Sequence, residues 1–357
     1  MAAVEARMLS QSSVTYDLSE DNLNNCHPYD WAPCEGGNFS ISTAMFSNLH
    51  GPYSEADDPY SGTSDNSCPT GLSPQFYVTD AWQANPDDIN AVKQALYDYG
   101  AMYVSMYWYD DAYNSSDYTY FYSGAGDGID GGGGHAVTLV GWDDNKATAA
   151  DQDGAWIIKN SWGEYWGESG YFYISYYDSS ALSSAGFFPN SLPYNPLISK
   201  QGYDEFGKTT GYGWGDGEDA ALVKLVATEN ISFEKVGTYA TASNATLDIE
   251  VYDDFDGTAL SNLLGSLTGQ TCTYPGFHLF TLPSEITIPS GDDYYIKVTY
   301  NTGSYAYPLP MEKQISGYSS NVVIEPSGKC WASNTGSSWF ALGSDITSGQ
   351  YDVCISA

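Results

Sequence analysis

The segments GGGGHAVTLVGW (131–142) and WIIKNSWGEYWGESGY (156–171) determine the expected fold of this chain. Each contains a run of β-branched and aromatic residues with glycine beside it, which is typical of a strand entering or leaving a turn. His135 lies near the start of the first run, and Asn160 ends the second. The pattern therefore predicts two neighbouring strands that each present one polar side chain at a cleft.

A histidine held by an asparagine is an acid–base device. The Asn160 oxygen can accept a hydrogen bond from one imidazole nitrogen of His135, which sets the tautomer and leaves the other nitrogen for a nucleophile. Trp162 would cover this bond and exclude water from it. An asparagine, rather than an aspartate, suits a thiolate–imidazolium pair, because the nucleophile already carries the counter-charge. We therefore predict that His135 and Asn160 are catalytic and that Trp162 supports them.

These two segments resemble the C-terminal half of papain-like cysteine peptidases, which carry a His-Ala-Val strand followed by Asn-Ser-Trp-Gly and Trp-Gly-Glu-x-Gly-Tyr. The resemblance implies a two-lobed peptidase fold with a helical lobe and a β-barrel-like lobe. It also implies hydrolysis of peptide or protein substrates through a Cys-His-Asn arrangement, without a cofactor. The alternative is a buried structural histidine beside an unrelated asparagine.

A second match lies nearer the N-terminus, in LSEDNLNNC (18–26) and CEGG (34–37). By resemblance, Gly36 and Gly37 line the substrate cleft, where one backbone group pairs with an extended peptide. Glycine permits this close approach of two backbones. The alternative is a plain turn.

The same resemblance implies a disulfide between Cys26 and Cys68. It also places Cys34 opposite a cysteine just ahead of the nucleophile. Cys330 and Cys354 are candidates for a disulfide further along the chain, and Cys272 has no obvious partner. The six cysteines indicate an oxidising compartment.

The nucleophile itself does not occur at its expected place. Papain-like peptidases need a cysteine within Cys-Trp-Ala-Phe at the start of a helix, and no Cys-Trp pair precedes His135. Spacing from Glu5 and from Cys26 places this cysteine roughly half a dozen residues before Met1. We therefore expect an N-terminally truncated peptidase that is inactive as given, and the alternative is a true pseudoenzyme.

Size and charge limit the function classes. The 357 residues favour two domains, and 45 acidic against 11 basic residues give a formal net charge of −34. This charge argues against a nucleic-acid partner. It fits an extracellular or cell-surface protein, or a protein from a salty habitat in which salt screens the acidic surface. No run of about 18 apolar residues occurs, so no membrane span is expected. The start of the chain also lacks a secretory signal pattern.

The residue pattern of the chain changes after a segment at 189–200 that contains several prolines. Beyond it, TLDIEVY (246–252) and YIKVTY (295–300) alternate apolar and polar residues between turn clusters, which predicts an antiparallel β-sandwich. This part resembles the lectin-like domain appended to some prokaryotic papain-like peptidases. The expected class is therefore α+β, with a peptidase domain at 1–188, a linker at 189–200 and a lectin-like sandwich at 201–357.

The sandwich supports a second function class, a carbohydrate or cell-surface binding protein on a pseudo-peptidase scaffold. Trp214, Trp331 and Trp339 would suit stacking on sugars, although core packing is the alternative for at least one of them. Asp253 to Asp256 form an acidic turn without the full spacing of a calcium loop, so no metal site is expected.

Local patterns also predict several elements of the first half. Residues 2–9 should be helical, Ser19 should cap a short helix, and 86–99 should form a helix capped by Asn85 or Asp87. The polar insert at 143–154 should be a surface loop that leaves its two flanking strands paired.

Overall fold

The computed structural model describes residues 1–62, 68–124 and 132–357, so Gly131 of the glycine run lies outside the described residues. The α-helices are α1 (Ala2–Ser12), α2 (Glu20–Asn25), α3 (Phe39–Ser47) and α4 (Ile89–Tyr99). Strands dominate the rest, which confirms the expected α+β class. No helix of the described residues is long and apolar enough to cross a membrane.

The strands of the first two hundred residues are β1 (Phe76–Val78), β2 (Ala81–Gln83), β3 (Met102–Trp108), β4 (Tyr113–Asn114), β5 (Thr119–Tyr120), β6 (Gly133–Asp143), β7 (Ala155–Lys159), β8 (Tyr171–Ser175), β9 (Ser184–Phe187) and β10 (Ser191–Pro193). Those that follow are β11 (Thr210–Tyr212), β12 (Glu218–Val226), β13 (Ile231–Ala240), β14 (Ala245–Phe255), β15 (Leu260–Cys272), β16 (Gly276–Ile288), β17 (Asp293–Asn301), β18 (Leu309–Glu312), β19 (Cys330–Ser333), β20 (Phe340–Leu342), β21 (Asp352–Val353) and β22 (Ile355–Ser356).

The chain divides into two compact units. The first unit comprises Met1–Leu18 and Trp82–Pro189, and the second comprises Ser19–Ala81 and Asn190–Ala357. The domain boundaries 1–188, 189–200 and 201–357 remain a prediction.

The first unit is built on a sheet with the strand order β2-β9-β3-β6-β7-β8-β5-β4, in which the β5–β8 pair is parallel. Its central strands bury large apolar side chains, among them Met102, Leu139 and Ile158 at 0% exposure. Helix α4 packs along β6 and buries Val92 and Ala95, which lie one turn apart on one helix face. The sequence predicted the paired strands β6 and β7 and a helix in this part of the chain.

The start of α4 differs from the prediction. The helix begins at Ile89, and its N-cap is Asp88, whose carboxylate accepts from the backbone N–H groups of Asn90 and Ala91 at 3.0 Å each. Asn85 and Asp87 were the wrong candidates. The predicted start at Pro86 lies ahead of the first helical residue, Ile89. The side-chain oxygen of a capping residue must lie within reach of the first helical turn, as that of Asp88 does.

The second unit contains an antiparallel sandwich. One sheet has the order β15-β14-β17-β12-β19-β20, and strands β22-β13-β16 and β11-β18-β21 face it. Alternate residues of β14 and β17, such as Leu247, Ile249, Ile296 and Val298, are fully buried between the layers. The alternation predicted from the sequence is therefore the in–out pattern of a sandwich strand.

The second unit also holds α2, α3 and the β1–β10 pair. Ser19 caps α2 as predicted, because its hydroxyl accepts from the Asn22 N–H at 2.9 Å. Helix α3 was not predicted from the sequence. Its N-cap is Asn38, whose side-chain oxygen accepts from the Ile41 N–H at 3.0 Å.

Two cysteines of the second unit form a disulfide, and the other four are free. Cys26 and Cys68 are bonded, whereas Cys330 and Cys354 are buried free thiols, so the suggested Cys330–Cys354 bridge is wrong. In β19, Cys330 lies opposite Val223 and Leu342. The Cys354 N–H donates to the carbonyl oxygen of Pro310 in β18. The strand pairing therefore places residues other than cysteine opposite Cys330 and beside Cys354, so the two thiols do not form a disulfide.

Candidate active site

The pairing of β6 with β7 brings His135 and Asn160 together. Thr138 on β6 lies opposite Lys159, the last residue of β7, and Asn160 follows directly. His135 Nε2 is 2.8 Å from Asn160 Oδ1, a good hydrogen-bond distance. Two side chains that are 25 residues apart in sequence are therefore joined by a hydrogen bond.

Backbone contacts hold the carboxamide of Asn160 in place. Asn160 is 7% exposed, its N–H donates to Gly170 O at 2.9 Å, and its Oδ1 also accepts from the Ser161 N–H at 2.8 Å. Its Nδ2 has no hydrogen-bond partner among the described residues. The two donors to Oδ1 therefore define which end of the amide faces the imidazole.

Trp162 lies flat on the histidine. Its ring is stacked on the His135 ring with a centroid distance of 4.9 Å and an interplanar angle of 21°. Trp162 is 41% exposed, so it covers one face of the imidazole and has its own outer part in solvent. The sequence predicted a cover for this site, and the contact observed is ring stacking.

Two further tryptophans complete an aromatic wall that sequence reasoning missed. Trp108 and Trp166 both meet the Trp162 ring edge-on, at centroid distances of 4.7 and 4.9 Å. Trp108 belongs to β3, where Met106 pairs with His135 and Trp108 pairs with Gly133. The aromatic run that contains Trp108 was visible in the sequence, but only the register of β3 against β6 places it here.

The loop from Ser161 to Gly170 depends on glycine. Gly167 has φ 59°, and a Cβ added there would lie 2.4 Å from Tyr171 O, a distance that real side chains essentially never adopt. Gly163 has φ 87° with open space around it, so it needs glycine for backbone conformation alone. The spacing of glycines in the Trp-Gly-Glu-x-Gly motif thus follows from the turn that returns the chain to β8.

Electrostatics at His135 favour the neutral imidazole. Burial lowers the pKa of His135 below its usual value of 6.5, and the hydrogen bond to Asn160 partly opposes this effect. Neutral imidazole with one nitrogen bonded can accept a proton at the other nitrogen. This is the state that a general base requires.

Gly36 and Gly37 lie in the second unit, on an exposed segment. Gly36 has φ 120°, which disfavours any other residue, and a Cβ built on either glycine meets nothing within 4 Å. The backbone here is therefore open to an approaching chain.

The cysteines differ widely in reactivity. Burial raises the pKa of the Cys272 thiol to about 12 and raises the pKa values of Cys330 and Cys354 well above the usual range. Cys34 is exposed, and its backbone N–H donates to the side-chain oxygen of Asn24 at 2.9 Å.

Among the described residues, no cluster of three or more His, Cys, Asp or Glu side chains is arranged to hold a metal ion. In the acidic turn, Asp256 accepts from the Thr258 and Ala259 N–H groups at 2.8 Å each. It therefore acts as the cap of its own turn.

Comparison with known proteins gives two family matches. A model described as Papain family cysteine protease matches residues 1–186, slightly more than half of the chain. A model described as Lectin like domain matches residues 202–357.

Curated relatives match somewhat less than half of the chain. Cathepsin B-like cysteine proteinase 6 of Caenorhabditis elegans is 31% identical over 153 residues, which is 42% of this chain and 37% of that protein. Cathepsin B-like CP2 of Giardia intestinalis is 33% identical over 175 residues, which is 46% of this chain and 53% of that protein. The chain therefore spans about half or less of the length of these relatives.

Two solved structures share the architecture of the whole chain. The Clostridial cysteine protease Cwp84 after propeptide cleavage superposes with a TM-score of 0.83 at 22% identity, covering 100% of this chain and 91% of that one. The cysteine protease and lectin-like domains of Cwp84 from Clostridium difficile superpose with a TM-score of 0.82 at 20% identity, covering 100% of this chain and 81% of that one. The fold is thus papain-like with a C-terminal β-rich domain, and with the match over residues 1–186 the chain belongs to the papain family of cysteine proteases.

Proposed function

We propose that the first unit carries the acid–base half of a cysteine peptidase, with His135 as the base and then the acid. The observation that carries this proposal is the 2.8 Å contact between His135 Nε2 and Asn160 Oδ1 beside the stacked Trp162. Because Nε2 is bonded to Asn160, Nδ1 remains the nitrogen that exchanges a proton. It would take the proton of a thiol and return it to the leaving amine.

Asn160 and Trp162 are positioning residues in this proposal. Asn160 holds the ring orientation through the cycle, in which the imidazole changes from neutral to charged and back. Trp162 shields one face of that ring from water, which strengthens the bond to Asn160. Neither residue needs to touch the peptide that is cleaved.

We propose that Gly36 and Gly37 bind the substrate backbone. Their open surroundings support pairing with an extended peptide, because no side chain stands in the way. The substrate would be a peptide or a protein.

We also propose that the chain as given does not hydrolyse peptides. Of its six cysteines, two are joined in a disulfide and three are buried with raised pKa values, which disfavours the thiolate. Cys34 belongs to the position that resembles a structural cysteine of the family. None of the six therefore has the environment of an activated nucleophile.

A gain-of-function assay tests both parts. The chain as given and a longer chain, with a Cys-Trp-Ala-Phe helix start joined ahead of Met1, would be compared on casein and on a fluorogenic peptide. We expect cleavage only by the longer chain, and we expect iodoacetamide to abolish it. Equal cleavage by both chains would refute the proposed inactivity.

The matched control is His135→Ala in the longer chain, with His50→Ala as a histidine outside the proposed site. Loss of cleavage in the first variant and retention in the second would support the role of His135. Full activity of His135→Ala would remove the peptidase proposal.

A second candidate function is glycan binding by the lectin-like part. The match to residues 202–357 and the exposure of Trp214 and Phe340, at 36% and 55%, favour it. A glycan array probed with the folded chain should give saturable binding to a defined group of sugars. A blank array would contradict this function and leave the peptidase proposal unaffected.

We propose an extracellular or cell-surface location. The Cys26–Cys68 disulfide and the fold shared with Cwp84, described as a surface layer associated protein, support it. Protease treatment of intact producing cells should degrade the chain. Complete protection until the cells are lysed would contradict this location.

A further inference from the structure

The second unit contains an open pocket of about 660 Å³ that the proposed peptidase chemistry does not use. Its walls come from the chain after β18, from residues 321–324 and from the loop 344–351 ahead of β21. Among the described residues no Asp or Glu lines it, although the chain has 45 acidic residues. Most of the lining side chains carry hydroxyls or amides, namely Gln314, Asn321, Ser344, Thr347, Ser348 and Gln350.

Lys313 is the one charged residue in the described part of this lining. Its ammonium lies 5.8 Å from the ring centroid of Tyr351, and it makes no ion pair with any described residue. By contrast, Lys200 and Lys224 of the same unit each contact an aspartate. The pocket therefore holds a cation whose counter-charge the surrounding described residues do not supply.

Two acidic side chains close to the pocket in sequence accept hydrogen bonds from residues outside its lining. Asp345 accepts from the N–H and the hydroxyl of Ser327 at 2.7 Å each, and Asp352 accepts from the Glu325 N–H at 3.0 Å. An anion that enters the pocket would thus meet Lys313 without a competing carboxylate in the described lining.

A row of aromatic rings runs outward from the pocket. Tyr351 lies 5.7 Å from Tyr212, Tyr212 lies 5.1 Å from Trp214, and Trp214 lies 5.4 Å from Phe340, measured between ring centroids. The outer two rings are exposed. Pyranose rings have apolar faces and hydroxylated edges, so a chain of sugars can contact such rings while its hydroxyls bond to amides and hydroxyls.

We propose that this pocket and its aromatic row form a binding site for an acidic glycan, in which Lys313 pairs with a carboxylate or phosphate of one sugar unit. The proposal rests on the glycan-binding function proposed for residues 202–357 and names its site and ligand class. A charge-assisted bond in a partly enclosed pocket is strong. The net charge of −34 opposes the approach of an anion at long range, but salt screens this repulsion beyond roughly 8 Å at physiological ionic strength.

Calorimetric titration of the full chain with three probes tests the charge. The probes are tetragalacturonate, its fully methyl-esterified form and a glycerol phosphate tetramer. The first two have the same sugar rings and differ in whether the carboxylates are charged or methylated, and the third presents phosphate without a sugar ring. We expect one of the two anionic probes to bind and the ester to bind at least about tenfold more weakly. A tenfold change corresponds to about 1.4 kcal/mol.

Matched lysine variants test the position. Lys313→Gln should weaken binding of the anionic probe by about tenfold or more, whereas Lys329→Gln should leave it unchanged. Lys329 is a suitable control because it also lies over a tyrosine ring, that of Tyr203 at 5.7 Å, and does not line the pocket. Phe340→Ala should weaken binding of the tetramer more than binding of a single galacturonate, because it removes the outermost ring of the row.

Three results would overturn the inference. These are equal binding of the ester and the acid, an unchanged affinity in Lys313→Gln, and no binding of any of the three probes by the folded chain. If a glycan array still shows binding in these cases, the glycan-binding function stands and only the proposed site is wrong. A blank array would remove that function as well.

Discussion

His135 illustrates how two contacts of opposite effect set the properties of one side chain. Burial, to which the stacked Trp162 contributes, disfavours the charged imidazole and lowers its pKa. The bond from Nε2 to Asn160 Oδ1 favours the charged form, because a protonated ring donates more strongly to a carboxamide oxygen. The balance leaves the pKa below 6.5, so the ring is mainly neutral at pH 7.

The two contacts can be separated by mutation. Trp162→Ala should raise the pKa of His135 towards 6.5, because it returns one ring face to water. Asn160→Ala should lower the pKa further, because it removes the bond that favours the cation. Histidine ring resonances followed by NMR between about pH 4 and pH 9 measure both shifts. A lower pKa in Trp162→Ala would show that burial is not the cause.

At the scale of the element, the start of α4 provides a direct test of capping. Asp88→Ala removes the acceptor for two backbone N–H groups and should destabilise the first unit by about 1 kcal/mol. Asp87→Ala is the matched control, since the neighbouring carboxylate accepts from neither group, and it should change the free energy of unfolding by less than about 0.5 kcal/mol. Urea unfolding measures both. An equal loss in the two variants would contradict the observed cap.

Substitutions at two glycines of the loop after β7 can distinguish the cost of backbone strain from the cost of a steric clash. Gly167→Ala should lower the free energy of unfolding by at least about 2 kcal/mol. The new Cβ would clash with Tyr171 O, and the alanine backbone would also have to adopt a left-handed conformation. Gly163→Ala should cost only about 1 kcal/mol, because the same conformation lies in open space. Thermal or urea unfolding gives the difference. Similar losses in the two variants would mean that the backbone relaxes around the new methyl group.

At the scale of the whole molecule, buried acids make stability depend on pH. Glu312 on β18 and Asp352 on β21 are cross-strand partners with 1% and 0% exposure. Burial is the main cause that raises the pKa of Glu312 to about 9 and that of Asp352 to about 7, and the nearby Asp204 contributes to both shifts. The folded state thus retains protons on both acids at pH values where the unfolded chain has released them.

Raising the pH should therefore destabilise the second unit. Folded pKa values above the unfolded ones mean that stability is highest below about pH 4.5 for these groups and is lost as the pH rises towards about 9. Between about pH 6 and pH 9 the loss for the two groups together should be on the order of 5 kcal/mol. Glu312→Gln should remove most of this dependence in urea unfolding at the two pH values. An unchanged slope in this variant would show that other groups cause it.

Local patterns in the sequence were sufficient for several parts of the fold and the site. Strands β6, β7, β14 and β17 follow from alternating or continuous β-branched runs, and the α+β class was expected from the family resemblance. Ser19 was correctly assigned as a cap because capping depends on residues only three positions apart. Such features are predictable because their contacts lie within a few residues along the chain.

Other parts required contacts between distant segments. The register of β3 against β6 placed Trp108 beside His135, and the register of β18 against β21 set Glu312 opposite Asp352. The suggested Cys330–Cys354 bridge failed for the same reason, since sheet register and not cysteine count decides which residues face each other.

The sequence by itself determined which residues resemble those of a papain-family site and in what order the strands follow one another. Only the tertiary structure decided which carboxylate caps α4, which rings surround the imidazole, and that Lys313 faces a pocket without acids among its described lining residues. The physical reason is that residue type and the local periodicity of apolar residues are properties of the sequence itself. Burial, pairing and local charge arise instead when segments far apart in sequence exclude water from one another.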